Sequence, residues 1–151
     1  EMLATVARHH AAAVVMHMRG VPKTMQNDTA YEDVVADVCD FLAGQLEAAR
    51  AAGIRDVAVD PGLGFGKTGA QCVEILQRLD EFQTIDAPLL IGPSRKAFLG
   101  RLTGEAEPAR RVEATLAAVV ISAMKGAAVV RVHDVAACRR ALIVADAVRC
   151  A

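Results

Sequence analysis

The stretch that decides the fold of this chain is Val57-Ala58-Val59-Asp60-Pro61-Gly62-Leu63-Gly64-Phe65-Gly66-Lys67-Thr68. Its first three residues are apolar and include two β-branched valines, which is typical of a short strand buried on both faces. An aspartate then closes the strand, and three alternating glycines allow the backbone to turn sharply and to approach a ligand closely. The final threonine has the right chemistry to cap a helix. The stretch predicts a strand, a ligand-binding turn and a helix, in that order.

This turn is similar to a phosphate-binding loop only superficially. Gly66-Lys67-Thr68 matches the end of that motif, but the motif requires glycine at position 61, where the chain has proline. We therefore interpret Asp60 as a ligand-binding residue at the end of a buried strand. The alternative is a helix cap or a partner for a buried amide.

The same alternation of strand and helix is repeated along the chain. Short apolar runs lie at residues 12–16, 57–59, 89–91 and 129–132. Helical spacing of apolar residues predicts a helix before the first run and further helices at about 29–53, 68–82, 109–125 and after 134. This order predicts one α/β domain with a parallel sheet and right-handed crossovers.

Two parallel architectures are compatible with that order, a closed barrel and an open doubly wound sheet. A complete (β/α)₈ barrel needs about 250 residues, so four βα units are half of one. An open sheet should have a glycine-rich fingerprint directly after its first strand, and His17-Met18-Arg19-Gly20 is not one.

Capping residues predict where the helices begin and end. Thr29 and Glu32 have the spacing of a capping box, and Gly53 has the position of a C-terminal cap for that helix. Thr68 and Asp134 are predicted to cap the helices that follow them.

The composition excludes several classes of protein. Apolar residues make up 54% of the 151-residue chain and charged residues 23%, with a net charge of −1. There is no basic patch typical of nucleic-acid binding and no apolar run long enough to span a membrane. The four cysteines, Cys39, Cys72, Cys138 and Cys150, form no metal-binding spacing. We expect reduced thiols in a cytoplasmic protein.

Each apolar run ends in a set of polar residues. The four sets are His17 and Arg19; Asp60; Ser94, Arg95 and Lys96; and Arg131, His133 and Asp134. Since active sites of parallel α/β folds form at the carboxyl ends of the strands, the four sets predict one site.

Each of these candidates has an ordinary structural alternative. Arg131 within a buried run is costly unless an anion or a flat ring receives it, and otherwise an internal Arg–Asp pair is expected. With His133 on the same side of the strand, it predicts an anion site. Lys96 is either a ligand donor or a solvated lysine, and His17 is as readily a satisfied core histidine.

The four segments together resemble the dihydropteroate synthase family. The matching motifs are Met16-His17-Met18-Arg19-Gly20, Asp60 to Lys67, Ser94-Arg95-Lys96 and Arg131-Val132-His133-Asp134. The resemblance covers nearly the whole chain and implies that residues 1–151 are a single C-terminal half of a pterin-binding (β/α)₈ barrel of TIM type, contributing strands five to eight.

The resemblance also implies an activity and a role for each motif. The family transfers a dihydropterin-methyl group from its pyrophosphate ester to p-aminobenzoate in folate biosynthesis. It implies catalytic roles for Asp60, Lys96, Arg131 and His133. The implied pterin-binding residues are Met16, Asp60, Gly64, Phe65, Gly92, Lys96 and Arg131. The implied pyrophosphate ligands are Ser94, Arg131 and His133, and the implied p-aminobenzoate contacts, where sulfonamides would also bind, are Phe65, Lys96 and Ala97.

Two departures from the family pattern affect the expectations. Many relatives have serine at the position of Ala97, so we expect a weaker contact to the p-aminobenzoate carboxylate through the backbone N–H. The family's Mg²⁺ ligand lies after its first strand, and no matching position exists here, so no metal ligand is expected in this chain. The family is typically a homodimer, and pairing with another chain to complete the barrel is a further expectation.

Other functions remain open from sequence. A pterin-dependent methyltransferase of the same barrel fold would share the Asp60 turn but not the anion groups at Ser94 and Arg131. A non-catalytic module that binds pterin and anion is the alternative from another class. A flavodoxin-like open sheet is a third reading.

Overall fold

The structure, a computed structural model, describes residues 1–149 and shows helices and parallel strands in alternation. The α-helices are α1 (Met2–Arg8), α2 (Val34–Ala51), α3 (Gly69–Gln77), α4 (Ala97–Thr103), α5 (Val112–Met124) and α6 (Val135–Arg149). The strands are β1 (Ala13–Met16), β2 (Val57–Asp60), β3 (Leu90–Ile91) and β4 (Val129–Val130). Two 3₁₀ helices lie at Leu79–Thr84 and Pro108–Arg110.

The strands are parallel and neighbour one another in chain order. β1 pairs with β2, β3 pairs with β4, and a bridge between Val59 and Leu89 joins the two ladders. The predicted α/β class and parallel pairing are confirmed. Strand β4 is shorter than predicted, although the Arg131 N–H still donates to the carbonyl of Ile91 at 2.9 Å.

Side chains of the sheet alternate between the helices and the opposite face. Val57 and Val59 are buried in the core with residues of α2 and α3, whereas Ala58 and Asp60 lie half-buried on the other face. Because successive residues of a strand point to opposite faces, Asp60 is directed away from the helical layer.

One predicted helix cap is wrong and one is confirmed. Helix α2 begins at Val34, and its N-cap is Asp33, whose carboxylate accepts bonds from the N–H groups of Val35 and Ala36. The Thr29–Glu32 capping box does not form, because the N-cap is Asp33, four residues after Thr29. Thr68 caps α3 as predicted, in a capping box with Gln71.

No helix within the described residues is both long and apolar enough to cross a membrane. Cys39, Cys72 and Cys138 are free thiols in the structure, and Cys150 lies outside the described residues.

Candidate functional site

The ends of β1 and β2 place the first site residues side by side. Met16 is the register partner of Asp60, and the His17 N–H donates to the Asp60 carbonyl at 2.9 Å. One carboxylate oxygen of Asp60 accepts a 2.7 Å bond from the N–H of Gly62. The second oxygen makes no bond to a described residue and is available to a ligand.

Two opposing influences act on the Asp60 carboxyl, burial and the surrounding positive charges. Burial raises the pKa of its carboxyl above the ordinary value. The Gly62 hydrogen bond and the charges of Lys96, Lys67 and Arg131 oppose that rise. A carboxyl balanced in this way by surrounding cations is typical of functional sites.

Glycine is required in the turn after Asp60. Gly62 has φ of 68°, and a Cβ atom placed there would overlap the carbonyl oxygen of His17 and press on Met16. Only glycine at this position therefore allows the backbones of the β1 and β2 loops to approach each other so closely.

Phe65 and Lys96 meet above the turn. The Lys96 ammonium lies 4.1 Å from the centroid of the Phe65 ring, and the Lys96 stem passes Gly64. Burial lowers the pKa of Lys96, while the charge of Asp60 raises it. Helix α4 begins at Ala97, so the predicted free backbone N–H at that position is present. An aromatic ring, an ammonium and a carboxylate thus line one face of the site.

A buried lysine supports this turn from beneath. Lys67 is 2% exposed, and its ammonium lies 2.7 Å from Nδ1 of His17 and donates to the carbonyls of Gly62 and Phe65. Burial, followed by the charges of Lys67 and Arg19, lowers the pKa of His17 to about 4. His17 is therefore neutral at pH 7, and its Nδ1 accepts a hydrogen bond from the Lys67 ammonium.

His17 is thus a core residue, as one of the two sequence interpretations held. Its ring meets Phe41 edge-on with centroids 4.9 Å apart. Arg19 does not enter the site either. Its guanidinium lies 3.9 Å from the Tyr31 ring centroid and donates to the Ala30 carbonyl.

The loops after β3 and β4 are joined by a second pair of side chains. Ser94 Oγ lies 2.9 Å from Nδ1 of His133 and also accepts the His133 backbone N–H at 3.2 Å. Gly92 lies beside Arg131, since a Cβ built on Gly92 would be 4.0 Å from the Arg131 Cβ. Of the residues predicted for an anion subsite, Ser94 and His133 are in direct contact, and Arg131 lies beside Gly92.

The predicted burial of Arg131 is wrong. The residue is exposed at the end of β4, a strand that pairs only with β3 among the described residues. Its guanidinium makes no hydrogen bond or ion pair with residues 1–149. The Arg–Asp pair at this end of the sheet is formed instead by Arg95 and Asp134, with N–O distances of 2.9 and 3.2 Å.

Arg95 has a structural role that the sequence did not reveal. Its φ of 59° lies in the left-handed region, which is unfavourable for arginine. The conformation is held by Thr115, which accepts its N–H at 3.1 Å, and by Arg111, which donates to its carbonyl at 2.9 Å. Lys67 was also missed, because lysine is normally solvated and its partner His17 is fifty residues earlier in the chain.

The described residues offer no metal site. No group of three histidine, cysteine, aspartate or glutamate side chains within residues 1–149 has a geometry that could hold an ion.

The sequence of the chain matches a known family. Residues 1–133 match the family model described as pterin binding enzyme. The chain belongs to this family.

Solved structures of high similarity come from several bacteria. Dihydropteroate synthase from Thermus thermophilus in complex with 4-aminobenzoate is 47% identical to this chain, with a TM-score of 0.94, over 97% of this chain and 57% of that one. The same enzyme has been solved in complex with 6HMPPP. Yersinia pestis dihydropteroate synthase in a sulfonamide drug complex is 38% identical, with a TM-score of 0.95, over 99% of this chain and 55% of that one.

Curated sequences give the same result. Dihydropteroate synthase of Synechocystis is 42% identical over 149 residues, which cover 97% of this chain and 52% of the relative. The Escherichia coli enzyme is 42% identical over 135 residues, 88% of this chain and 48% of the relative. The chain therefore spans about half the length of the relatives that it matches. Those relatives are TIM-barrel enzymes, and this chain has the matching α/β order.

Proposed function

We propose that this chain supplies part of the active site of a dihydropteroate synthase. The reaction transfers a dihydropterin-methyl group from its pyrophosphate ester to p-aminobenzoate and releases pyrophosphate. The observation that supports this most strongly is the meeting of Asp60, Phe65 and Lys96 at the strand ends, in a chain 47% identical to a relative solved with 4-aminobenzoate.

The pterin subsite is proposed to lie over Asp60. Its free carboxylate oxygen accepts hydrogen bonds from the ring nitrogen and amino group of the pterin, and Lys96 donates to the carbonyl side. As the bond between the methylene carbon and pyrophosphate breaks, positive charge develops on the pterin. The carboxylate stabilises that charge because it is already oriented and partly desolvated. Other contacts in this subsite are assigned to Met16, Gly64, Phe65, Gly92 and Arg131.

The leaving group and the acceptor occupy opposite sides of the pterin in this proposal. Ser94, His133 and the exposed Arg131 bind the pyrophosphate, whose negative charge suits a guanidinium that has no partner among residues 1–149. The p-aminobenzoate ring packs on Phe65 beside Lys96, and its carboxylate reaches the N–H of Ala97. The amine then attacks the methylene carbon, and its proton leaves to solvent. Sulfonamides are proposed to occupy the same place.

Residues 1–151 are proposed to form a single C-terminal half of the barrel, with β1 to β4 as strands five to eight. Within residues 1–149, β1 and β4 each pair on one side only, and Val14 of β1 and Val129 of β4 are 52% and 44% exposed. We propose that the remaining strands of the barrel cover these edges in the active protein, and that the active protein is a cytoplasmic homodimer. Light scattering of the active protein tests this oligomeric state, and a monomeric mass would contradict the proposed homodimer.

The magnesium ion implied by the family belongs to that remaining part. The described residues do not fit a metal site, so no step of the reaction is assigned to a metal in this chain.

Calorimetry tests the proposed pterin site. Dihydropterin pyrophosphate is titrated into the wild-type chain, into Asp60→Asn, and into Asp80→Asn, whose carboxylate pairs with Lys125 at the surface. We expect affinity to fall at least about tenfold in Asp60→Asn alone, since a hydrogen bond to a charged group is lost. Equal affinities in all three proteins would contradict the proposal. Binding of a methyl-pterin cofactor, with none of the pyrophosphate ester, would favour a methyltransferase.

A further inference from the structure

Lys67 is an unusual residue to find in the core of this domain. It is 2% exposed, and none of the ion pairs of residues 1–149 includes it. Its ammonium instead has three neutral partners, the carbonyls of Gly62 (3.2 Å) and Phe65 (3.1 Å) and the ring nitrogen of His17 (2.7 Å). An ammonium has three donors, so each one has an acceptor.

Such an arrangement is costly unless the bonds have a purpose. Burying a cation without an anionic partner is unfavourable, and an aliphatic side chain of similar volume would fill the same space at lower cost. What an aliphatic residue cannot do is bind two carbonyls of one turn at once. The lysine therefore determines the shape of the turn between β2 and α3 rather than merely filling the core.

The same turn is held from its outer side by residues of the β1 loop. Gln26 Nε2 donates to the carbonyl of Gly64 at 2.7 Å, and the Tyr31 hydroxyl donates to the carbonyl of Gly66 at 2.8 Å. The Gln26 bond is exposed and the Tyr31 bond is part-buried, whereas the Lys67 bonds to His17 and Gly62 are buried and its bond to Phe65 is part-buried. Lys67 is consequently the brace of this turn that is least accessible to solvent.

The residue most directly governed by this brace is Phe65. Its carbonyl accepts from Lys67, its N–H donates to the Gly62 carbonyl at 3.1 Å, and its ring lies against Lys96. The backbone of Asp60, in contrast, is placed by its strand register with Met16, and only its carboxylate contacts the turn, through the N–H of Gly62. A change at Lys67 should therefore shift the ring more than the carboxylate.

We propose that Lys67 is a positioning residue for the p-aminobenzoate subsite. It fixes the turn 62–66 through two carbonyls, with neutral His17 as the acceptor that anchors its ammonium, and so sets the place of the Phe65 ring. The assignment of Phe65 to that subsite rests on the proposed function. The brace itself does not.

Hydrogen exchange of the unliganded chain tests the brace. Amide exchange of residues 60–68 is compared in the wild type, Lys67→Met and Lys67→Gln, with Lys125→Met as the matched surface control. We expect on the order of ten- to hundredfold faster exchange at the Phe65 amide in both Lys67 variants, because bonds to a charged donor are lost. Exchange of residues 34–51 in α2 should stay within about twofold.

A change in exchange spread equally over the turn and α2 would overturn the proposal, since Lys67 would then be a general stabiliser. Unchanged amide exchange of residues 60–68 in both Lys67 variants would also overturn it. Failure of both variants to fold would likewise make Lys67 a folding residue and overturn the proposal.

Ligand titration then tests the link to the subsite. Affinities for 4-aminobenzoate and for dihydropterin pyrophosphate are measured with the same proteins. We expect Lys67→Gln to weaken 4-aminobenzoate at least about tenfold and the pterin about threefold or less. Equal losses for both ligands would overturn the positioning role. If the wild type binds neither ligand, the proposed function of the chain alone fails, and the exchange result still decides whether Lys67 shapes the turn.

Discussion

The turn after β2 and the loops after β3 and β4 form the two sides of one site, but they are built differently. The turn is enclosed, with Gly62 against the β1 loop and Lys67 beneath it. The loops at the other side are open, and Arg131 is exposed without a partner among residues 1–149. The difference indicates that the side assigned to pterin and p-aminobenzoate is pre-organised within this chain. On the side proposed to bind the anion, the Arg131 guanidinium has no such support from the described residues.

The largest effect is expected from a substitution that disrupts the enclosed turn. Gly62→Ala places a Cβ onto the His17 carbonyl in a left-handed conformation, and we expect the free energy of unfolding to fall by more than about 3 kcal/mol. Gly104→Ala is the matched control, because its φ of 74° is similar but nothing lies within 4 Å. That control should lose about 1–2 kcal/mol. Urea unfolding gives both values, and equal losses would show that the turn is not tightly enclosed.

Acid should weaken the same region. The pKa of His17 is 6.5 as a free side chain and about 4 in the folded protein, so stability is complete above pH 6.5 and falls between pH 6.5 and 4 as the unfolded chain takes up the proton. The loss reaches about 3 kcal/mol at pH 4, at about 1.4 kcal/mol per unit of pKa.

Chemical denaturation at pH 7, 5.5 and 4.5 measures this slope. His17→Phe should remove its contribution, whereas His9→Phe, at an exposed position, should keep it. If the free energy of unfolding of His17→Phe depends on pH as steeply as that of the wild type, other groups cause the acid sensitivity.

The open side depends on a smaller interaction. Arg95→Lys loses the two-point contact with Asp134 that holds the β3 loop to the start of α6, and we expect a loss of about 1–2 kcal/mol in the free energy of unfolding. Arg149→Lys, in an exposed pair with Asp146, should lose less than about 0.5 kcal/mol. A double-mutant cycle with Asp134→Asn measures the coupling, and zero coupling would remove Arg95 as the support of this side.

The smallest effect concerns the helix that leaves the turn. Thr68→Ala removes the side-chain cap of α3 and should cost about 1 kcal/mol. Thr84→Ala removes only an exposed hydroxyl that donates to the Glu81 carbonyl, and it should be nearly neutral. The melting temperatures of the two variants are compared, and equal values would refute the role of Thr68 as a helix cap.

The sequence predicted those features that depend on neighbouring residues. Short β-branched runs indicated the four strands, and Thr68 has its capping partner Gln71 only three residues away. The features that it missed depend on distant contacts. The segment before α2 was read as helix from Thr29, but Tyr31 instead bonds to Gly66, and the helix begins after Asp33.

Burial of charged groups was the least predictable property. Lys67 was read only as part of a motif, since nothing near it in sequence announces His17 as a partner. Arg131 was expected to be buried because its run is apolar, and it is exposed at the end of β4. The ligand roles of the site residues remain predictions.

Turnover by the purified chain tests the central claim most directly. It is assayed with dihydropterin pyrophosphate, p-aminobenzoate and Mg²⁺, beside Lys96→Ala purified in the same way, and each protein is assayed alone and with the remaining part of the Thermus thermophilus relative. We predict that dihydropteroate forms once the barrel is completed and that formation falls at least about a hundredfold in Lys96→Ala, because the pre-formed donor beside Phe65 is lost. Equal rates in both proteins, or none with a completed barrel, would contradict the account.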